Sequence, residues 1–219
     1  EFSAHGAAGT MRFGDALEAV RIRGELMFAS GVERPGTMAA ILGLDDEAVE
    51  DACHRVQEEG ATCVPANFNS QGQVVISGDV EGVERGMALC KESGAKRAVL
   101  LTVSGAFHSP LMQPAREGLR EKLEKIKFSD PSYPVVSNVS SKPVSNGSRA
   151  KELLVEQLTS PVRWRESIET MVGMGVESFF ELGTGSVLSG LNRRNARGIP
   201  CLSLGNPEDF ERLEGWQND

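Results

Sequence analysis

A run of alternating elements between Gly36 and Val103 constrains this chain more than any other feature. Met38–Leu42 is short and apolar, which predicts a strand. Asp45 offers a side-chain cap to a helix with Val49, Ala52, Cys53 and Val56 on one face, stopped at Gly60. Cys63–Asn67 and Gln73–Ser77 read as strands around a Ser70-Gln71-Gly72 turn. Asp79 caps a second helix with Val80, Val83, Met87 and Cys90 on one face, stopped at Gly94. Arg97–Val103 reads as a last strand. The order β-α-β-β-α-β is the split arrangement of ferredoxin-like folds, so residues 36–103 are expected to form such a subdomain.

The flanks read differently. Phe2 to Met27 predicts helix with a break near Gly6–Gly9, and Phe13, Ala16, Leu17 and Val20 mark its apolar face. No Ser, Thr, Asn or Asp cap precedes it, an unusual opening for a natural domain. Ser109-Pro110 starts a helix whose stripe is Leu111, Ala115, Leu119, Leu123 and Ile126. Strands over 134–139, 176–182 and 200–204 alternate with helices over 149–158, 166–174 and 187–194, the last capped by Ser186. This alternation predicts an α/β core with a mainly parallel sheet, made of residues 1–35 and 104–219.

The net charge of −8 argues against nucleic acid or an anionic membrane as partner. No apolar run approaches the length of a bilayer span, and Glu1–Gly6 lacks the basic and apolar regions of a signal peptide. The four cysteines form no C-x-x-C pair and there are only three histidines, so no metal site is expected. The cysteines read as reduced, mostly buried thiols of a cytoplasmic protein.

His108 is the leading candidate for chemistry. It lies in Ser104-Gly105-Ala106-Phe107-His108-Ser109-Pro110, a loop between an apolar strand and a helix. Loops at the carboxyl ends of parallel strands host α/β sites, and a neutral imidazole can accept and return a proton. Gly183-Thr184-Gly185-Ser186 could cradle an anion with backbone N–H groups, though a plain strand-to-helix turn fits as well. Asn67, Asn69, Gln73 and Gln157 could orient a carbonyl or hydroxyl, or serve as turn and loop residues. Arg193, Arg194 and Arg197 could meet a phosphate or an acidic partner, or complement the end of their helix. No serine stands in G-x-S-x-G.

Five segments in register carry a resemblance. They are Arg21–Gly24, Ala66–Asn69 with Gly72–Gly78, Gly105–Met112, Gln157–Trp164, and Glu181–Gly183 with Val187–Leu191. Together they closely resemble the malonyl-CoA:acyl carrier protein transacylases. The resemblance implies an α/β hydrolase-like core with an inserted ferredoxin-like subdomain. It implies transfer of malonyl from malonyl-CoA to the phosphopantetheine thiol of acyl carrier protein, through an ester on an elbow serine, in fatty acid biosynthesis. His108 is then the general base and acid, and Gln157 supplies the backbone carbonyl that orients it. Arg23 pairs with the malonyl carboxylate. By the same resemblance, Asn67 and Asn69 match amides close to the acyl site, and Phe107 matches the version that favours malonyl over branched groups. No cofactor is implied, and a monomer is expected.

The departures matter. In the family, the serine stands in a Gly-His-Ser-Leu-Gly motif directly before the sequence matched here by Glu1–Ala4. The 219 residues are therefore expected to begin after the nucleophile, with the core sheet incomplete, and to be inactive alone. His5-Gly6 replaces an apolar pair, and Gln71 and Thr184 replace prolines. The alternatives are a polyketide-type acyltransferase using another acyl-CoA, and an inactive fragment that binds acyl carrier protein.

Overall fold

The computed structural model describes residues 1–213. It divides into one unit over Glu1–Ser167 and a second from Ile168 onward.

The first unit opens with α1 (Phe2–Ala7) and the long α2 (Phe13–Glu33). Next come β1 (Thr37–Leu42), α3 (Asp46–Glu58), β2 (Cys63–Ser70), β3 (Gln73–Gly78), α4 (Val80–Glu92) and β4 (Arg97–Leu100). The four strands form one antiparallel sheet in the order β2-β3-β1-β4. The tight link between β2 and β3 requires that direction, and Gly72 makes it with a φ of +70°. Both expected caps are in place. Asp45 accepts from Ala48 N at 2.8 Å, and Asp79 accepts from Gly82 N at 2.7 Å and Thr62 N at 2.6 Å. Val49, Ala52, Cys53 and Val56 of α3 pack with Val83, Leu89 and Cys90 of α4 on Ile41, Val74 and Ile76.

The rest of the first unit is mainly helical. A 3-10 turn over Pro110–Met112 leads into α5 (Gln113–Glu124), and α6 (Gly147–Glu156) ends in another over Gln157–Thr159. Their apolar faces bury Ala19, Met27, Met112, Ala115, Leu119, Leu123, Leu154 and Leu158 together. The face expected for α2 is corrected here. Ala16 and Ala19 are buried, but Phe13, Leu17 and Val20 are 79%, 61% and 45% exposed. α2 and α5 meet instead where Leu26 closes on Gly118, so tightly that a Cβ there would lie 2.7 Å from the leucine.

The expectation of a mainly parallel sheet is also corrected. Residues 134–139 contribute only β5 (Val135–Val136), antiparallel to β6 (Pro143–Val144). The cause is a tight turn: Ser137 N donates to Lys142 O, and Ser141 adopts a φ of +51°. Among the described residues the only parallel strand pair is β7 (Phe179–Leu182) with β8 (Cys201–Leu204), in the second unit. There, α8 (Val187–Asn195) is capped by Glu181 rather than by the expected Ser186. Glu181 accepts from Leu188 N at 3.0 Å and Ser189 N at 2.8 Å. The helix α7 (Trp164–Gly173) crosses the boundary in sequence. The broad class is α/β.

Candidate active site

β1 to β4 end before the loop that matters. β4 stops at Leu100, three residues short of the expected Val103, and its sheet is antiparallel. The location of His108 therefore does not follow from the carboxyl edge of a parallel sheet. It follows from contact with α2. Gly31 lies so close to the loop that a Cβ would sit 2.2 Å from Ser104 O. α2 thus carries Arg23 and also braces the loop bearing His108.

His108, Arg23 and Gln157 line one cavity of about 280 Å³, with Glu1, Ser3, Val20, Asn138, Leu154 and Val162. His108 Nδ1 lies 2.9 Å from Gln157 O, and a carbonyl can only accept, so Nδ1–H donates. That tautomer leaves the Nε2 lone pair free. Burial lowers the His108 pKa below its ordinary 6.5, the Gln157 carbonyl opposes the shift, and the Arg23 charge adds to it. The ring is a neutral base at pH 7. The Gln157 side chain turns back, its Nε2 donating to Ser160 O at 3.0 Å. This bond shapes the turn that presents the backbone carbonyl.

Arg23 makes no hydrogen bond or contact ion pair with any described residue. Burial lowers its pKa, and the nearby Glu1 carboxylate opposes the shift. A half-buried guanidinium with unused donors suits a carboxylate brought by a ligand. Burial raises the Glu1 pKa, against the opposing pull of Asn138, Ser137 and Arg23.

Asn67 does not line the cavity but is tied to its wall. Phe68 N donates to Val162 O, and Val162 N to Ala66 O, each at 2.8 Å, giving a parallel bridge between Asn67 and Val162. Asn69 lies further along β2, half-buried and outside the cavity. Phe107 packs between the helical core and the sheet face carrying Met38, Ala66 and Val75, away from the cavity lining. Sequence reasoning missed Asn138, which sits in the Ser137–Lys142 turn with its carbonyl accepting from Arg163 N at 3.0 Å. The sequence places it inside the strand expected over 134–139, where it carries no signal of its own. The Gly183–Ser186 cradle is not available to an anion at Leu188 N and Ser189 N, because Glu181 occupies both.

The comparisons agree with one another. The acyl transferase domain family matches residues 1–201. The malonyl CoA-acyl carrier protein transacylase of Bacillus subtilis is 47% identical over 96% of this chain and 67% of its own length. That of Escherichia coli K12 is 45% identical over 94% of this chain and 67% of its own. The chain thus spans about two thirds of these relatives. Among solved structures, an acyl carrier protein S-malonyltransferase from Vibrio cholerae superposes with a TM-score of 0.93. It is 41% identical, over 97% of this chain and 69% of its own. A malonyl-transacylase solved in complex with its type II PKS acyl-carrier protein gives 0.92 at 39% identity, over 100% of this chain and 70% of its own. With a domain match over most of its length and relatives this similar, the chain belongs to the malonyl CoA-acyl carrier protein transacylase family of acyl transferases.

Proposed function

We propose that these residues serve malonyl transfer from malonyl-CoA to the phosphopantetheine thiol of acyl carrier protein, in fatty acid biosynthesis. The observation that carries this reading is the His108 Nδ1–Gln157 O bond, in a cavity shared with the unpaired Arg23 guanidinium. His108 Nε2 takes the proton of a serine hydroxyl as its oxygen attacks the malonyl thioester carbon. The C–S bond breaks, and the proton passes to the departing CoA sulfur. The second half runs in reverse with the carrier thiol as nucleophile. The Gln157 carbonyl holds the ring's tautomer, the task a carboxylate performs in other triads. Arg23 clamps the free malonyl carboxylate, and Asn67 contributes through its bridge to Val162 in the cavity wall, with Asn69 and Phe107 outside the lining. Malonyl-CoA is a substrate in this scheme, which calls on no cofactor.

The 219 residues contain no G-x-S-x-G, so the reading takes its serine from a Gly-His-Ser-Leu-Gly segment placed before Glu1. Intact-mass measurement with malonyl-CoA tests it. The 219 residues alone should gain no malonyl adduct, and with that segment joined they should gain one. In the joined form His108→Ala should slow transfer by about a thousandfold or more. A preference for acetyl- or methylmalonyl-CoA would favour the polyketide-type alternative.

The finer architecture belongs to the same reading. The βαββαβ order of 36–103 and its β2-β3-β1-β4 sheet support a ferredoxin-like subdomain. Residues 1–35 and 104–219 then form the partial hydrolase-like core. Four free cysteines support a cytoplasmic setting. Among the described residues no helix is long and apolar enough to cross a membrane.

A further inference from the structure

His108 has a backbone φ of +59°, a left-handed conformation that a non-glycine residue holds only when its surroundings impose it. Its next neighbour supplies the constraint. Ser109 is fully buried. Its Oγ donates to Ala106 O at 2.6 Å and accepts from Leu111 N at 3.2 Å. One hydroxyl therefore ties the chain before His108 to the chain after it. Ala106 is itself fully buried, and its Cβ would come within 2.7 Å of any Cβ built at Gly36. On the other side, Gly31 of α2 leaves no space for the loop to retreat past Ser104 and Gly105. The loop is thus fixed to the scaffold at 104–106, and Ser109 transmits that position across the strained residue.

We propose that Ser109 is a positioning residue for His108: its buried hydroxyl clamps the loop so that the imidazole Nδ1–H meets the Gln157 carbonyl. Without the hydroxyl, the Ala106 carbonyl and the Leu111 N–H lose their partner, and nothing local offsets the left-handed backbone at 108. The loop then relaxes, the ring leaves Gln157 O, and the neutral imidazole spreads over both tautomers. The catalytic meaning of this device rests on the malonyl-transfer reading, but its physical test does not.

Nitrogen NMR of the histidine rings, on the 219-residue chain and its Ser109→Ala variant without substrate, decides the matter. In the parent chain, His108 should show the Nδ1–H tautomer. In Ser109→Ala, the tautomer ratio should shift toward Nε2–H by about fivefold, the change expected from losing one ordinary hydrogen bond. Backbone amide signals outside roughly 104–113 should stay in place. An unchanged His108 tautomer in a folded variant would overturn the proposal. So would loss of dispersion across the whole spectrum, which would make the hydroxyl a support of the core at large. A failure of malonyl transfer in the serine-bearing form would leave either NMR result standing, so the two readings fail separately.

Discussion

The sheet with its two helices and the helical layer around the cavity are adjacent in sequence but built on different terms. In the first, residues 39–98 bury Ile41, Val49, Val56, Ile76 and Leu89 in a core drawn from one continuous stretch. In the second, the core draws on residues from Phe2 to Leu158, and the cavity needs α2, the 104–109 loop, the 137–142 turn and the end of α6 at once. The sheet region closes on itself through apolar burial and the Asp45 and Asp79 caps. Both regions keep buried polar atoms without a partner, Ser70 Oγ and Ser77 Oγ in the first and Gln157 Oε1 in the second, but Gln157 borders a cavity that it shares with the half-buried Arg23 guanidinium. Apolar burial drawn from one continuous stretch characterises the first region, and a cavity set between distant segments the second.

The largest expected effect probes the sheet. Ile76→Ala removes a fully buried side chain from the core between β3 and the helices, and should cost about 2–5 kcal/mol by urea denaturation. A loss under about 1 kcal/mol would break the contrast, since it would mean that the sheet core is loosely packed.

The next effect lies in the helical layer and depends on pH. His5 is buried on α1, with Nδ1 3.2 Å from Thr10 Oγ. Burial lowers its pKa from 6.5 to about 4. The unfolded chain binds the proton first, so this contribution is complete above pH 6.5. It declines as pH falls to about 4 and changes no further below. The loss should reach about 3 kcal/mol. His108, also held neutral, adds a slope of the same sign. Denaturation midpoints between pH 4 and 7 should fall less steeply in His5→Leu, and an unaltered slope would remove His5 from the account.

A smaller effect returns to the sheet. Asp79→Ala leaves Gly82 N and Thr62 N without their carboxylate and should cost about 1 kcal/mol. Cavity geometry, read from the His108 tautomer, should not change. A change there would show that the two regions are coupled more tightly than their cores suggest.

The same contrast explains what could be read from sequence. The sheet region was legible because its signals are local: Asp45 and Asp79 cap, Gly60 and Gly94 stop, and the 70–72 turn sets direction. The α2 face was misread because helical period reports which residues share a side, not which side a neighbour covers. Small residues drew α5 to the Ala19–Leu26 side. The parallel-sheet expectation failed where Ser137 and Ser141 fold a would-be strand into a turn. His108 stood out by its chemistry. Its pairing with Gln157, 49 residues away, came only through family resemblance, because no local rule links a loop histidine to a distant carbonyl. Asn138 carried no signal at all.

The bridge between Asn67 and Val162 has a consequence of another kind. β2 and β4 are the outermost strands of the four-stranded sheet, and bare strand margins invite other chains to add on. At the β2 margin, Ala66 O and Phe68 N are already engaged by Val162. The β4 margin is only four residues long and starts with Arg97, directly after Lys96. Shortness and positive charge discourage strand addition there. The segment that follows the histidine's carbonyl partner thus also guards against aggregation, and a lesion at Val162 would expose the sheet to self-association while loosening the wall of the cavity.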